Sequence, residues 1–498
     1  MGFRSVLCRP FVANFANQQD KWSSKPVLTQ LRQFEYLAKK GRDTAFGREH
    51  GFDGIRNYHD FKKLVPVSDY ESFSPYIKRI INGEKDVLWP GKPAYFAKTS
   101  GTTSGIKYIP LSAESIPYHI NGARNALFNY ILETGKAGFL DGGLIFLSGS
   151  PVLEEKGNIK TGRLSGIVNH HVPVWARMNQ KPSYQTNCIE DWETKIEKII
   201  DETIDARMTL ISGIPPWVQM YFDRIIERTG KKISAVFPDF SVFVHGGVNF
   251  EPYRARLIES IGRQVDSIET YPASEGFIAY QYRQNEPGLL LLLNSGIFYE
   301  FIPADEFYSE DPPRLTIEDV KEGINYALII NSNAGLWGYS IGDTVKFISL
   351  NPPLVQVTGR ISHFISAFGE HVIVEEVEKA LKNALTEFTG TEIAEFTVAP
   401  VVNSGQGLPH HEWLIEFSRM PGNLDDFSAK LDASLRKLNA YYDDLVTGAI
   451  LQPLKIVRLR KDSFRDYMKT IGKLGGQNKV PRLSNNRLIA DQLAMYVE

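Results

Sequence analysis

Residues 98–110, Lys-Thr-Ser-Gly-Thr-Thr-Ser-Gly-Ile-Lys-Tyr-Ile-Pro, concentrate groups that suit a polyphosphate. Gly101 and Gly105 let the backbone approach a ligand and turn its N–H groups inward. Thr99, Ser100, Thr102, Thr103 and Ser104 add rotatable hydroxyl donors, and Lys98 and Lys107 add positive charge. The segment is not a P-loop, which places four residues between its glycines and then opens a helix with Lys-Ser/Thr. Here Gly105 follows Gly101 after Thr102, Thr103 and Ser104, and the next run, Tyr-Ile-Pro, reads as a strand. Taken alone, the same composition also describes a Gly/Ser/Thr surface loop.

Further segments carry candidate chemistry. Val-His-Gly-Gly (244–247) follows an apolar run, and Gly246 and Gly247 would let backbone pass close to a flat base or make a tight turn. Glu-Thr-Tyr-Pro-Ala-Ser-Glu-Gly (269–276) offers Tyr271 for stacking and, beside Ser274, the Glu275 carboxylate for a metal; a helix-end charge is the plainer role for Glu275. In Trp-Gly-Tyr-Ser-Ile-Gly-Asp (337–343), Asp343 could accept two hydrogen bonds from a ribose diol, or stabilise a turn. Arg360, in Val-Thr-Gly-Arg, could reach a phosphate or ribose, or form an ion pair between domains. The pairs His170-His171 and His410-His411 lack a second partner at ligand spacing and read as loop residues.

The elements that must hold these groups alternate in type. Met208–Gly213, Ser241–Gly247 and Val265–Tyr271 read as strands, with helices at 215–230 and 251–262 between them. That alternation predicts a parallel sheet with covered faces, whose ligands bind beyond the strand C-termini. The helix at 192–206 has Asp191 as its candidate N-cap. Alternating apolar runs at 289–293, 297–302, 324–331 and 344–349 predict an antiparallel sheet or small barrel, with 303–323 as an exposed excursion. After Arg360, helices marked by Val374–Leu385 and Leu424–Leu438 and strands at 396–402, 412–417 and 454–460 predict a smaller α+β unit. The expected organisation is therefore α/β: a large N-terminal domain, 1–360, with parallel sheet and a small barrel-like part, and an α+β C-terminal domain, 361–498.

With 498 residues the chain exceeds one ordinary core. A formal net charge of −2 and the lack of a long basic run argue against a nucleic-acid binder. Cys8 and Cys188 make no disulfide framework, and no apolar run approaches membrane-spanning length, so the expectation is a cytoplasmic protein with no membrane partner.

The order of these clusters is specific. A Ser-Gly-Thr-Thr loop, Tyr-x-x-Ser-Glu, Tyr-Ser-x-Gly-Asp and then Gly-Arg at a domain junction resembles the adenylate-forming ligase superfamily. Within it the chain resembles the Gretchen Hagen (auxin-responsive promoter) family of acyl-acid amido synthetases, above all over residues 44–84 and in the tail Gly-Lys-Leu-Gly-Gly-Gln-Asn-Lys-Val-Pro-Arg-Leu (472–483). The resemblance implies the adenylate-forming ligase fold and a two-step reaction. A carboxylic acid is adenylated by ATP with release of pyrophosphate, and an amine, usually of an amino acid, displaces AMP. It implies that Ser100, Gly101, Thr102 and Thr103 bind phosphates, that Glu275 beside Ser274 holds Mg2+, and that Tyr271 with Gly246 and Gly247 contacts adenine. Asp343 would bind the ribose with Arg360 close by. Lys479 would sit on the α-phosphate during adenylation only, because the superfamily rotates its small domain between half-reactions.

The chain departs from the pattern at two places. The superfamily's Tyr-Gly-x-Ser/Thr-Glu is here Tyr271-Pro272-Ala273-Ser274-Glu275, and Glu370-His371 stands where family members often carry a lysine. An acyl-CoA ligase of the same superfamily is the nearest alternative, and a nucleotide-binding protein without catalysis is the next.

Overall fold

The computed structural model describes the chain apart from residues 1, 101–105, 173–176, 190, 248–249, 362–363, 366–371, 402–407, 448–450, 475–478 and 485–486. The chain divides into two compact units. One comprises Met1–Ile341 and Val345–Val357; the other comprises Gly342–Thr344 and Thr358–Glu498.

The strands up to residue 360, in chain order, are β1 (Tyr95–Ser100), β2 (Ile106–Leu111), β3 (Gly143–Phe146), β4 (Glu154–Lys156), β5 (Ile159–Gly162), β6 (Gln180–Lys181), β7 (Met208–Ser212), β8 (Val242–Gly246), β9 (Asp266–Ala273), β10 (Gly276–Gln281), β11 (Leu289–Leu291), β12 (Ile297–Pro303), β13 (Asn325–Ser332), β14 (Tyr339–Leu350) and β15 (Pro353–Arg360), the last two contributing Gly342–Thr344 and Thr358–Arg360 to the second unit. An eleven-stranded sheet has the order β12-β13-β14-β15-β11-β10-β9-β8-β7-β3-β6, and β2-β1-β5-β4 make a second sheet. The pairs β3–β7, β7–β8 and β8–β9 are parallel, as the strand–helix alternation predicts. The apolar runs after residue 288 join that sheet as its antiparallel half.

The covering helices form where their signals lie. Asp191 Oδ1 accepts from Thr194 N (2.8 Å), opening Trp192–Thr203, which buries Trp192, Ile196, Ile199 and Ile200. Pro215 opens the helix Pro215–Thr229, and Gly230, at φ +67°, ends it. Both helices pack in a core with Ile145, Ile211 and Phe243 of the parallel strands. Near the N-terminus, Phe3–Leu7 and Arg9–Ser23 are helices that the sequence reading did not anticipate.

The segment 303–323 is anchored rather than simply exposed. Leu315 and Phe301 exchange backbone hydrogen bonds of 2.9 Å, and Ile317 and Val320 are buried. Arg314 reaches Glu300 on β12 through Nε (3.0 Å) and Nη2 (2.8 Å). A buried ion pair inside a segment of acidic and proline residues leaves no periodic signal, so the composition suggested solvent exposure.

The second unit contains a three-stranded sheet in the order Glu392–Val401, His410–Arg419, Lys455–Leu459, the first pair antiparallel and the second parallel. Helices Val374–Glu387 and Leu424–Leu438 bury Val377, Leu381, Phe427, Leu431 and Leu435 against it. His410 and His411 begin a strand and are buried, which corrects their reading as loop residues. Helices Ser463–Thr470 and Leu488–Leu493 complete a second small core with Leu459 and Tyr496. Among the described residues no helix is long and apolar enough to cross a membrane.

Candidate functional site

The Gly/Thr-rich stretch joins two paired strands. β1 and β2 are antiparallel with Thr99 opposite Lys107 and Ser100 opposite Ile106. Ser100 is thus the last residue of β1, while Gly101, Thr102 and Thr103 lie outside the described residues. Both flanking lysines already have neighbours: Lys98 pairs with Glu154 on β4, and Lys107 Nζ lies 5.5 Å over the Tyr70 ring.

Beyond the C-terminal edge of the parallel strands the structure brings several expected residues together. Gly246 is opposite Thr270 in the β8–β9 register. A Cβ on Gly246 would fall 2.2 Å from the Thr270 carbonyl oxygen, so glycine is required there by the close approach of the neighbouring strand. Gly247 has φ +80° and turns the chain out of β8. From Thr270, β9 continues through Ala273, which pairs with Gly276 of β10. Ser274 and Glu275 therefore form the turn of that hairpin, which begins about 13 Å along the strand from Thr270. Both are partly exposed. Tyr271 is 7% exposed and packs within the core, so most of the ring that the sequence offered for stacking is spent on packing.

His245, which the sequence reading passed over, is 3% exposed and lies between Phe243 and Phe250, with ring centroids 5.2 Å and 4.2 Å away. Its Nδ1 is buried with no hydrogen-bond partner among the described residues. Burial, with a smaller contribution from the Arg254 charge, pushes it down to about 3, so the imidazole is neutral at physiological pH. A histidine inside an apolar strand immediately before a glycine pair was the available signal.

The second unit groups Asp343, Arg360 and Lys479. Arg360 Nε lies 3.1 Å from Asp343 Oδ1, and Asp343 is 20% exposed. Gly342, at φ +80°, lies under this arginine: a Cβ there would be 3.2 Å from Nη2. Ile361 N donates to Gly342 O (2.7 Å), and Thr358 Oγ1 donates to Thr344 Oγ1 (2.8 Å), which holds the two strands in register around the pair. Arg360 forms an ion pair within one unit rather than between domains, with a partner the sequence had placed in the same site. Desolvation lowers the Lys479 ammonium to about 8, opposed by Asp343 and reinforced by Arg360. The side chain remains open to solvent, which limits how far that lowering can go.

Mg2+ is the metal the resemblance implies. Among the described residues no group of three or more His, Cys, Asp or Glu is arranged to hold an ion. Mg2+ does not depend on such a group, because it is commonly bound through one or two carboxylates together with waters and substrate phosphates. Glu275 carries a hard oxygen donor at a partly exposed turn.

Known proteins match this chain over nearly its full length. The GH3 family N-terminal domain matches residues 15–138 and 150–265, the GH3 family central domain residues 290–360, and the GH3 family C-terminal domain residues 375–488. Jasmonoyl--L-amino acid synthetase GH3.5 of Oryza sativa subsp. japonica is 23% identical, over 94% of this chain and 92% of the relative. Indole-3-acetic acid-amido synthetase GH3.3 of Arabidopsis thaliana is 22% identical, over 91% and 89%. Among solved structures, AtGH3.15 acyl acid amido synthetase in complex with 2,4-DB superposes with a TM-score of 0.81 at 16% identity, covering 98% of this chain and 96% of that one. A 2-hydroxyisobutyryl-CoA ligase superposes with a TM-score of 0.58 at 11% identity, over 94% and 91%, which places the fold among adenylate-forming ligases. With its N-terminal, central and C-terminal domains all matched in order, the chain belongs to the GH3 family.

Proposed function

We propose that this chain is an ATP-dependent acyl-acid amido synthetase, a ligase that forms a carbon–nitrogen bond through an acyl-adenylate. The observation that carries the reading is the near full-length similarity to plant amido synthetases, across all three domains of the family.

A carboxylate is a poor electrophile, because its charge repels nucleophiles and its oxygen leaves badly. In the first step a carboxylate oxygen attacks the α-phosphorus of ATP and pyrophosphate departs. In the second an amine nitrogen bonds to the acyl carbon, the C–O bond to phosphate breaks, and AMP leaves with the electron pair while the amine sheds a proton. The protein's task is positioning and charge neutralisation. Ser100, Gly101, Thr102 and Thr103 are placed by this reading on the phosphates. The backbone at Gly246 and Gly247 approaches the adenine, with Tyr271 supporting that turn from the core. Glu275, next to Ser274, would hold Mg2+, which when bound neutralises phosphate oxygens. Asp343 would accept from the ribose hydroxyls. A carboxylate has about four acceptor positions, so its ion pair with Arg360 is compatible with that role and orients it. Lys479 would neutralise charge developing at the α-phosphate.

The deciding experiment offers the purified protein ATP, Mg2+ and an acid such as indole-3-acetic acid, jasmonic acid or 2,4-DB, with either an amino acid or CoA as acceptor. Amide formation with an amino acid is expected; thioester formation without amide would convert the assignment to an acyl-CoA ligase. ATP binding without pyrophosphate exchange for any acid in a broad panel would favour a non-catalytic nucleotide binder.

Asp343→Asn is expected to weaken ATP binding by roughly tenfold or more, the scale of a lost hydrogen bond to a charged group. Titration calorimetry with a non-hydrolysable ATP analogue measures it, and unchanged affinity would remove Asp343 from the nucleotide site.

A further inference from the structure

The strands β3, β7 and β8 are parallel and their ends are tied together. Leu147 N donates to Ser212 O (2.8 Å), and Gly213 N donates to Val244 O (3.0 Å). The chain leaving β3 therefore lies on the same edge as Gly246, about 10 Å from it, two strand spacings away. A polar cluster occupies that place. Lys195, 2% exposed, donates from Nζ to the carbonyls of Ser148 (3.1 Å) and Asn187 (2.8 Å). Asn187 Nδ2 donates to Ser148 Oγ (3.3 Å). The Arg163 stem packs on Gly149, where an added Cβ would lie 2.8 Å from its Cδ and 3.5 Å from Ser165 Oγ.

Among the described residues this cluster has two cations and no carboxylate. Among the described residues neither Arg163 nor Lys195 has a carboxylate partner, whereas Asn187 Oδ1 and Ser165 Oγ are buried without any hydrogen-bond partner. Desolvation lowers both cations, Lys195 to about 8; the Cys188 thiol opposes that fall and the Arg163 charge adds to it. Bringing like charges together away from water is unfavourable unless an anion joins them.

We propose that Ser148, Arg163, Ser165, Asn187 and Lys195 form the subsite for the carboxylate of an amino-acid acceptor. The assignment rests on the amido synthetase reading and adds to it where the acceptor is held. The acyl substrate's carboxylate loses its charge when it is adenylated, so a fixed pair of cations matches it in one half-reaction only. The acceptor's carboxylate keeps its charge from binding to product. Fixed positive charge nearby also disfavours the ammonium form of the acceptor, and only the neutral amine attacks. Ser165 Oγ can donate to a bound carboxylate, and Asn187 Oδ1, an acceptor, can take a hydrogen bond from the acceptor's amine or from a water beside the carboxylate.

Saturation-transfer NMR tests this without knowledge of the acid, using the full-length protein with ATP and Mg2+. The probes are the proteinogenic amino acids, each compared with its carboxamide, which keeps the amine and removes the negative charge. At least one amino acid is expected to bind the wild type at least tenfold more tightly than its carboxamide. Arg163→Met should reduce that preference at least tenfold, and Arg163→Lys should restore part of it; circular dichroism confirms that each variant is folded. If no amino acid is preferred over its carboxamide, or if the preference survives in a folded Arg163→Met protein, the assignment is overturned. Pyrophosphate exchange separates this from the reading beneath it. Wild-type protein that exchanges with no acid would sink the ligase reading, whatever the NMR result. An Arg163→Met protein that loses exchange yet still prefers the amino acid would reassign the cluster to the acyl acid.

Discussion

Lys479→Ala is expected to slow acid-dependent pyrophosphate exchange by roughly 100- to 1,000-fold, the range seen when one donor to a developing negative charge is removed. Amide formation from a supplied acyl-adenylate should fall far less, because the α-phosphate is then already substituted and the lysine's work belongs to the first step. The comparison is a pair of single-turnover rates, one per half-reaction. Equal losses in both would mean that Lys479 supports the fold or a shared binding step. The same residue sets a pH expectation. Its ammonium is lowered to about 8 by desolvation, with Asp343 opposing and Arg360 assisting. The charged form is the active one, so exchange should decline as pH rises between about 8 and the ordinary lysine range, the solvent-open side chain keeping the fall from being complete at the lower value, and Lys479→Arg should extend activity to higher pH. A wild-type profile flat to pH 10 would contradict a titrating lysine in the adenylation step.

The largest stability effect is expected at Arg314. Its guanidinium is 8% exposed, and the Glu300 carboxylate it meets is 0% exposed. Glu300 also accepts from Tyr58 OH (2.7 Å) and Asn331 Nδ2 (2.9 Å), and Arg314 Nη1 reaches the carbonyls of Lys62 (3.2 Å) and Val65. Burial, then the Glu300 charge, push the Tyr58 hydroxyl well above its ordinary value, so it remains a donor. Arg314→Met leaves the carboxylate buried without its countercharge, which costs about 3–5 kcal/mol. A lowered urea midpoint would measure that cost, and Arg314→Met with Glu300→Leu should recover part of it, since the stranded charge is then gone. An unchanged midpoint in the single variant would show that water reaches Glu300 and that the ion pair does not anchor 303–323.

The local signals were legible where the chemistry is local. The Asp191 cap, Pro215 at a helix start and Gly230 after its end lie where spacing placed them, because each acts on backbone groups within a few residues. Strand–helix alternation led to the parallel strands, since a parallel pair needs a crossover between them. The reading failed where partners are remote in sequence. Arg314 meets residues 249 and 252 positions away, which gives no periodicity to find. His410 and His411 looked like loop residues because adjacent histidines beside a Gly/Pro stretch carry no strand signature, yet both are buried in a strand.

The order of motifs along the chain determined the family, and with it the ligase chemistry proposed here, because that order is a property of the polymer alone. Which groups share a space was decided only by the tertiary structure. Asp343 and Arg360 were expected near one ribose with no direct bond between them and are an ion pair, whereas Tyr271 was read as a stacking face and belongs to the core. The cluster of Arg163 and Lys195 left no mark in the sequence at all. Its significance is a buried lysine beside a partly buried arginine with no carboxylate among the described residues to pair them, and burial and proximity exist only once distant segments pack.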